Sequence, residues 1–415
     1  MSRTDHPLKH PTVNDLEAAL VEPLRELLRV AKATAEAERV ELWAVGGAVR
    51  DLAVGIGVRD LDLAVAGDAG GLATAVAERT GGAATVEARF GTASVEAGGC
   101  RIDLAALRTE RYARPGALPT VRLGASIEED LARRDFSVNA VALGLAGARA
   151  GEVIDPFGGL GDLAARRLRV LHERSFIDDA TRLWRGVRYA ARLALRPTAE
   201  TARLIEEGGR WLAPISGQRL WVEFERTAEE RRVLETLRLL DGWGVLGATC
   251  GEFELSEASA RALRPRRGPI PASVLLAVLL APLPTTVRGA VVSRLRAPRE
   301  AARAVEDSAA LIEGHATDLD SLDRLSGTGE PGRTAASWLD PGPQRALQGA
   351  LRRWAQTRAH LDAGELLELG VPRGPVLGAT LRRLRRERYL GTLAGAAEAR
   401  HVVRAWLAEE PADHV

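Results

Sequence analysis

A glycine pair followed by two alternate aspartates narrows what the first hundred residues of this chain can be. Residues 46–51 read Gly46-Gly47-Ala48-Val49-Arg50-Asp51 after an apolar run at residues 40–45, and residues 59–65 read Arg59-Asp60-Leu61-Asp62-Leu63-Ala64-Val65. The apolar run predicts a strand. Glycines at its end let backbone N–H groups approach an anion and start a helix whose positive end favours it. Arg50, one turn into that helix, can add a charge-assisted bond. Asp60 and Asp62 stand two apart in a second apolar run, so on a strand both carboxylates leave one face of the sheet. Mg²⁺ is usually held by one or two carboxylates while substrate phosphates and waters complete its octahedron, which such a pair allows. Alone, each half is most often a plain turn or a solvated strand end. In this order on one chain they point to a metal and a nucleoside triphosphate.

A third acid follows in Arg101-Ile102-Asp103-Leu104-Ala105. It is reached through a hairpin predicted from residues 84–88 and 92–96, with Phe90-Gly91 at the turn. Asp103 is either a charge on an edge strand or a third acid beside the metal. Residues 40–105 then read as strand, helix, strand, helix, hairpin, strand: a small α+β unit with acids gathered on one sheet face.

Beyond it, residues 108–121 carry Pro115, Gly116 and Pro119, which break periodicity and predict a loop over the site. Ser126 and Glu129 form a capping-box pattern opening a helix. That helix runs into Arg133-Arg134-Asp135-Phe136-Ser137-Val138-Asn139-Ala140, where the apolar continuation places a charged triplet against the core. A basic pair with an acid there could hold a triphosphate and a ribose hydroxyl. Asp155-Pro156-Phe157-Gly158-Gly159 predicts a glycine-rich turn, and Asp178-Asp179 stands at the predicted amino-terminal end of a helix carrying Arg182, Arg185 and Arg188. Arginines three apart share one broad face, with Leu183, Trp184 and Val187 opposite. An aspartate accepting from an exocyclic amine and an arginine donating to ring acceptors can together read a base edge.

Composition frames these motifs. The chain of 415 residues is 46% hydrophobic, enough for a sizeable core and two to four domains, and only 4% aromatic, so much of the rest should be tightly packed helix. Its net charge of +1 singles out no partner, although lysine occurs only at Lys9 and Lys32 and nearly all positive charge is arginine. Two cysteines, Cys100 and Cys250, supply neither a disulfide framework nor a metal-ligand spacing, which suits a reducing cytoplasm. His6 and His10 stand four apart, but Pro7 and Pro11 argue against a metal-binding helix and for a disordered tail. The polar start has no apolar signal core, and the longest apolar run, residues 274–281, predicts a core helix rather than a membrane span.

Taken in order, these motifs resemble the class II tRNA nucleotidyltransferases, the bacterial CCA-adding and poly(A) polymerase group. The glycine pair with Arg59-Asp60-Leu61-Asp62 matches the family's first motif, Arg133 to Ala140 the second, and Asp155 to Gly159 the flexible third. Asp178-Asp179-Ala180-Thr181-Arg182 stands where the family has Glu-Asp-x-x-Arg, its amino-acid template, and Ser216-Gly217-Gln218-Arg219-Leu220 with Glu223 resembles the fifth motif, with Gln218 where Glu is usual. The resemblance implies Mg²⁺ bound by Asp60 and Asp62, with Asp103 a further candidate catalytic acid. It implies triphosphate and ribose contacts from Gly46, Gly47, Arg50, Arg133, Arg134, Asp135 and Asn139, base reading by Asp179 and Arg182, and triphosphate contacts from Arg185 and Arg188. The substrates implied are CTP, ATP and the 3' end of tRNA, joined by two-metal nucleotidyl transfer.

The expected architecture is α+β: a small mixed-sheet, polymerase-beta-like head at 39–165 after a helical extension at 1–38, then an all-helical neck at 166–260 and a helical body and tail at 261–415. In the tail, Arg382, Arg383, Arg385 and Arg386 would suit the tRNA backbone, or form a solvated helix face. The loop between Asp103 and Ser126 is present, which argues against a CC-only enzyme, while its wording at residues 114–119 departs from the Asp-Gly-Arg-Arg-Pro type expected of full CCA enzymes; full CCA addition ranks first and A-addition second. A non-catalytic RNA-binding protein on the same fold is opposed by the intact Asp60 and Asp62, and a dinucleotide-binding oxidoreductase by the absence of G-x-G-x-x-G spacing.

Overall fold

The structure, a computed structural model, describes residues 8–58, 60–314 and 319–409. Arg59 of the first motif and the first seven residues, His6 and Pro7 among them, lie outside the described residues. The chain forms two compact units, Met1–Glu254 with Arg294–Arg296, and Leu255–Ser293 with Ala297–Val415.

The first unit opens with helices α1 (Val13–Ala19) and α2 (Glu22–Glu38), then alternates β1 (Leu42–Val45), α3 (Gly47–Ala53), β2 (Leu61–Val65), α4 (Ala69–Thr80), the hairpin β3 (Ala83–Glu87) and β4 (Thr92–Ala97), and β5 (Cys100–Ala106). After β6 (Arg108–Arg111) and β7 (Thr120–Leu123) come α5 (Ile127–Ala132), β8 (Ala142–Ala146), β9 (Val153–Ile154) and α6 (Gly159–Ala164). Seven strands make one sheet in the order β3-β4-β5-β2-β1-β8-β9. Within it β2 and β5 run parallel, while β1 is antiparallel to both β2 and β8.

Alternation sorts the two faces. Leu42, Ala44, Leu61, Leu63, Ile102 and Leu104 pack beneath α2 and α4, against Leu27, Leu28, Leu72 and Val76. The intervening residues Trp43, Val45 and Ala64 face the other way, toward Ile127 and Leu131 of α5. Asp62 and Asp103 share that second face, since each lies between core-facing neighbours. Because β5 lies between β4 and β2, Asp103 is not an edge-strand charge.

Two expectations need correction. The stretch 108–121 is not an irregular loop: β6 and β7 form an antiparallel ribbon registered from Arg108↔Leu123 to Arg111↔Thr120. Pro115, Gly116 and Pro119 lie in its connection, where no ladder donor is required. Further on, Asp178 and Asp179 do not open one continuous helix. Asp178 ends the short α7 (Ser175–Asp178), Asp179 is extended, and α8 (Thr181–Leu193) starts after it. The remaining helices of the unit used below are α9 (Ala199–Gly208), α10 (Gly217–Ala228) and α11 (Val233–Gly242).

The second unit is helical. Ala272–Leu280 is buried from Val274 to Leu280, the core helix its composition predicts. Pro341–Gln356 packs through Leu347 and Trp354, and the last helices, Pro375–Leu390 and Ala396–Glu409, pack through Leu384, Ala399 and Val403. No helix among the described residues is long and apolar enough to cross a membrane.

Leu104 is 1% exposed and backs the strand that carries Asp103. Leu104→Ala should cost about 2–5 kcal/mol through lost burial and the cavity left behind. Urea unfolding of the purified chain, followed by tryptophan fluorescence, should show the first transition moved to lower denaturant.

Candidate active site

Register places the acids. In the parallel pairing Leu61 lies opposite Ile102 and Asp62 opposite Asp103, and Asp103 in turn faces Ser94 on β4. Directly opposite residues hold their Cβ atoms about 5 Å apart. Asp60 precedes β2 and is exposed, as is Asp62, with buried Leu61 between them. An open cleft of about 340 Å³ covers this face, lined among others by Asp62, Asp103, Thr92, Ser94, Asp130 and Arg134. Although Asp62 is open to solvent, desolvation in the cleft raises its carboxyl above the ordinary value. Arg134 opposes that rise, and Asp103 and Asp60 reinforce it. Carboxylates gathered against their mutual repulsion make a locus of negative potential that a cation relieves.

The donors are hard oxygens, as a divalent cation of the Mg²⁺ type requires, and the set is incomplete alone. Among the described residues no group of three or more His, Cys, Asp or Glu is gathered tightly enough to hold a metal by itself. Asp103 also accepts from Arg101 at 2.7 Å, an exposed pair of small energetic weight. An ion here would need ligands from a substrate or from water.

Arginines line the adjoining wall. Gly46 has φ +65°, and a Cβ on it would stand 2.9 Å from Arg134 Nη1, so the glycine turn and this guanidinium adjoin closely. Arg134 donates to Asp130 at 3.0 Å, and Arg133 donates to Asp130 at 2.8 Å and to Glu110 of the ribbon at 2.8 Å. Burial works against the charge on Asp130, but Arg134 and Arg133 outweigh it and hold the carboxyl below its ordinary value. The capping box at Ser126 and Glu129 is formed as the sequence predicts, which fixes the start of α5 and hence the placing of Arg133 at its end.

Arg50, nearly buried, bonds Asp51 at 2.7 Å and donates to Asn139 Oδ1. Asn139 donates to Asp135 at 2.9 Å, and the other oxygen of Asp135 accepts from Arg185 at 2.7 Å. One connected chain of polar contacts thus joins α3 to α8. Burial penalises the Asp135 carboxylate, yet Arg185, Asn139 and Arg182 keep it ionised far below the ordinary range. Helix α8 comes close enough because Gly186 has no side chain: a Cβ there would lie 2.7 Å from the Phe136 ring. Phe136 meets Tyr189 edge-on at 6.0 Å, and the Arg50 guanidinium lies 5.1 Å from the centre of the Tyr189 ring.

The arginines of α8 are not a solvated face. Arg182 and Arg188 are 5% and 4% exposed. Arg182 donates to Ser175 Oγ at 2.9 Å and to the Arg133 carbonyl at 2.8 Å. Arg188 pairs with Glu223 of α10, which turns it inward. Asp179 Oδ1 accepts from the Thr181 hydroxyl at 2.8 Å and from Arg219 at 2.7 Å.

Every described head and neck residue singled out from the sequence lies in the first unit, though not all reach one point. Asp60, Asp62, Asp103, Gly46 and Arg134 gather at the cleft; Arg50, Asp135, Asn139 and Arg185 form the polar chain beside it; Arg188 is committed to Glu223. In the second unit Arg382 and Arg383 are exposed, with Arg383 stacked 3.7 Å from the Trp406 ring centre. Arg385 donates to the Trp354 carbonyl at 2.6 Å, and Arg386 pairs with Asp320 and Asp323. Sequence reasoning missed Tyr189, Glu110 and the bond from Arg219 to Asp179. Glu110 meets Arg133 across 23 residues and Arg219 meets Asp179 across 40, separations that leave no local pattern.

Residues 42–169 match the model of the poly(A) polymerase head domain. A CC-adding tRNA nucleotidyltransferase of Deinococcus radiodurans is 34% identical over 375 residues, 89% of this chain and 91% of that protein. The chain belongs to the tRNA nucleotidyltransferase family. It is therefore an enzyme of the nucleotidyltransferase type, and members of the family generally use divalent metal ions. An A-adding tRNA nucleotidyltransferase of Halalkalibacterium halodurans is 43% identical over 167 residues, 40% of this chain and 39% of that one. Among solved structures, the Thermotoga maritima CCA-adding enzyme complexed with tRNA is similar at a TM-score of 0.68 and 26% identity, covering 96% of this chain and 99% of that one.

Asp135→Asn removes the charge that Arg185 faces and should destabilise the first unit by about 3–5 kcal/mol at pH 7. A carboxyl whose folded pKa is depressed adds stability above its unfolded value, 3.8, and loses it as pH falls. The gap between wild type and variant in denaturant midpoint should be full at pH 7 and shrink below about pH 4.

Proposed function

We propose that this enzyme adds C and A to the 3' end of tRNA from CTP and ATP, acting in the cytoplasm with Mg²⁺ at Asp60 and Asp62. The observation that carries the reading is the row of carboxylates on one sheet face beside an arginine-lined wall, in a chain 34% identical over 89% of its length to a tRNA nucleotidyltransferase. The incoming triphosphate would lie between the glycine turn and Arg134, its charge met by Arg50 and Arg185. Bound Mg²⁺ would supply the Lewis acidity that activates the tRNA 3'-hydroxyl and neutralises departing pyrophosphate. Asp60 and Asp62 would hold the site open toward the substrate, with Asp103 adding charge from the next strand. Little covalent work falls to the chain, so orientation by the arginines accounts for much of the rate.

Asp179 and Arg182 form the base-reading pair in this reading. Thr181 and Arg219 fix one oxygen of Asp179, and Ser175 with the Arg133 carbonyl fixes the guanidinium. A reader held at both ends presents a fixed hydrogen-bond pattern, so selection costs little reorganisation. The ribbon favours addition of both bases. Tyr112 donates to Glu110 at 3.0 Å, Glu110 accepts from Arg133 at 2.8 Å, and the Arg133 carbonyl accepts from Arg182, so the ribbon is tied to the base-reading arginine. CC-addition alone is the second reading, favoured by the near full-length likeness to the Deinococcus radiodurans enzyme.

Purified protein with Mg²⁺, labelled CTP or ATP, and tRNAs ending before the first C, the second C or the terminal A separates these readings. Incorporation into all three supports CCA addition, incorporation stopping after two C residues supports the second reading, and none into any refutes both. Asp62→Ala should reduce incorporation by about 10³-fold or more, with unfolding by circular dichroism unchanged; retained activity would remove this site. Arg182→Ala should blur the choice between C and A, read as the ratio of kcat/KM for CTP and ATP on one tRNA, more than it changes tRNA affinity.

A further inference from the structure

Phe90 is 37% exposed, and among the described residues no other phenylalanine, tyrosine or tryptophan is exposed to that degree. In a chain with only 4% aromatic residues, the other described rings are buried or half-buried, which sets Phe90 apart. It sits on the turn between β3 and β4, whose backbone is tied down at several points. Gly91 is left-handed at φ +60° and donates to the Ala88 carbonyl at 3.2 Å; its own carbonyl accepts from Ala106 N at 2.7 Å. The Phe90 carbonyl accepts from Arg108 at 2.9 Å. These bonds fix the main chain from which the ring projects.

The turn also belongs to the cleft. Glu87 and Thr92, which flank it, line the same cavity as Asp62 and Asp103. Ser94 of β4 pairs with Asp103, and Phe90 stands four residues along the chain from Ser94, at most about 13 Å. The Arg89 guanidinium lies 5.5 Å from the ring centre, which adds positive charge at the edge of an apolar face. Exposed Leu123 abuts the Gly91 turn. A flat apolar ring beside an arginine, on a turn whose flanking residues line the cleft of the acids, has the makings of a platform for an unpaired nucleobase: the ring stacks and the guanidinium meets the phosphate.

We propose that Phe90, with Arg89, stacks a nucleobase of the single-stranded tRNA end just upstream of the reacting hydroxyl, positioning the primer rather than the incoming nucleotide. This rests on the tRNA reading of the cleft. Stacking on an aromatic side chain is worth about 1–3 kcal/mol per base, or roughly 5- to 150-fold in affinity. Phe90→Ala should raise the KM for truncated tRNA within that range while the KM for CTP or ATP stays within about twofold, and Phe90→Trp should restore it. A tRNA carrying 2-aminopurine next to its 3' terminus should lose fluorescence on binding wild type and Phe90→Trp but not Phe90→Ala.

An unchanged tRNA KM and unchanged quenching in Phe90→Ala, with active wild type, overturn the platform and leave the tRNA reading standing. A loss that Phe90→Trp does not restore, with a lowered melting temperature, overturns it in favour of a structural role. Altered self-association without a change in tRNA KM overturns it in favour of a protein contact. Failure of wild type to extend any tRNA overturns the underlying reading instead.

Discussion

The parallel pairing of β2 with β5 in the interior of the sheet is the constraint on which the site depends. Neighbouring strands with residues in direct register bring Asp62 and Asp103 side by side, although 41 residues of chain separate them, and the hairpin that precedes β5 continues the same face. Pleating does the rest. Leu61, Leu63, Ile102 and Leu104, the neighbours of the acids, point into a core capped by α2 and α4, so sliding the register by one would bury a carboxylate and expose a leucine. The same apolar face that stabilises the sheet therefore fixes the spacing of its charges.

A second constraint joins head to neck inside the first unit. Asp135 is buried and ionised, a costly state unless each oxygen is satisfied. Phe136 N and Asn139 serve one oxygen and Arg185 the other, and Asn139 passes the connection to Arg50. Because α8 supplies Arg182 as well as Arg185, the contact that neutralises Asp135 also orients the proposed base-reading arginine. Gly186 makes this possible by letting the helix press on Phe136. Packing and electrostatics thus act on one helix, with Arg182 buried and Arg185 half-buried on what would otherwise be a solvated face.

Much of the first unit could be read from the chain. Strand, helix and hairpin periodicities between residues 40 and 105 match the elements found, the capping box at Ser126 is formed, and the helical remainder follows from its alanine- and leucine-rich composition. The ribbon at 108–123 escaped because its prolines and glycine sit in the connection and mask a short ladder on either side. The break after Asp178 escaped because Asp179, which accepts from the Thr181 hydroxyl and from Arg219, is extended ahead of α8, and Arg219 lies 40 residues on.

Sequence by itself determined the local chemistry: two carboxylates alternating on a strand, a glycine turn before a helix, and an acid three residues before an arginine. Those follow from periods of two and 3.6 residues and from backbone freedom at glycine, all of which act within a few positions. That Asp103 belongs to an interior strand, that Arg188 is spent on Glu223 and Arg386 on Asp320 and Asp323, and that Phe90 is the most exposed of the described aromatics, is set by contacts between distant segments. Strand order, ion-pair choice and burial depend on which distant segments meet, and a one-dimensional pattern carries no term for that.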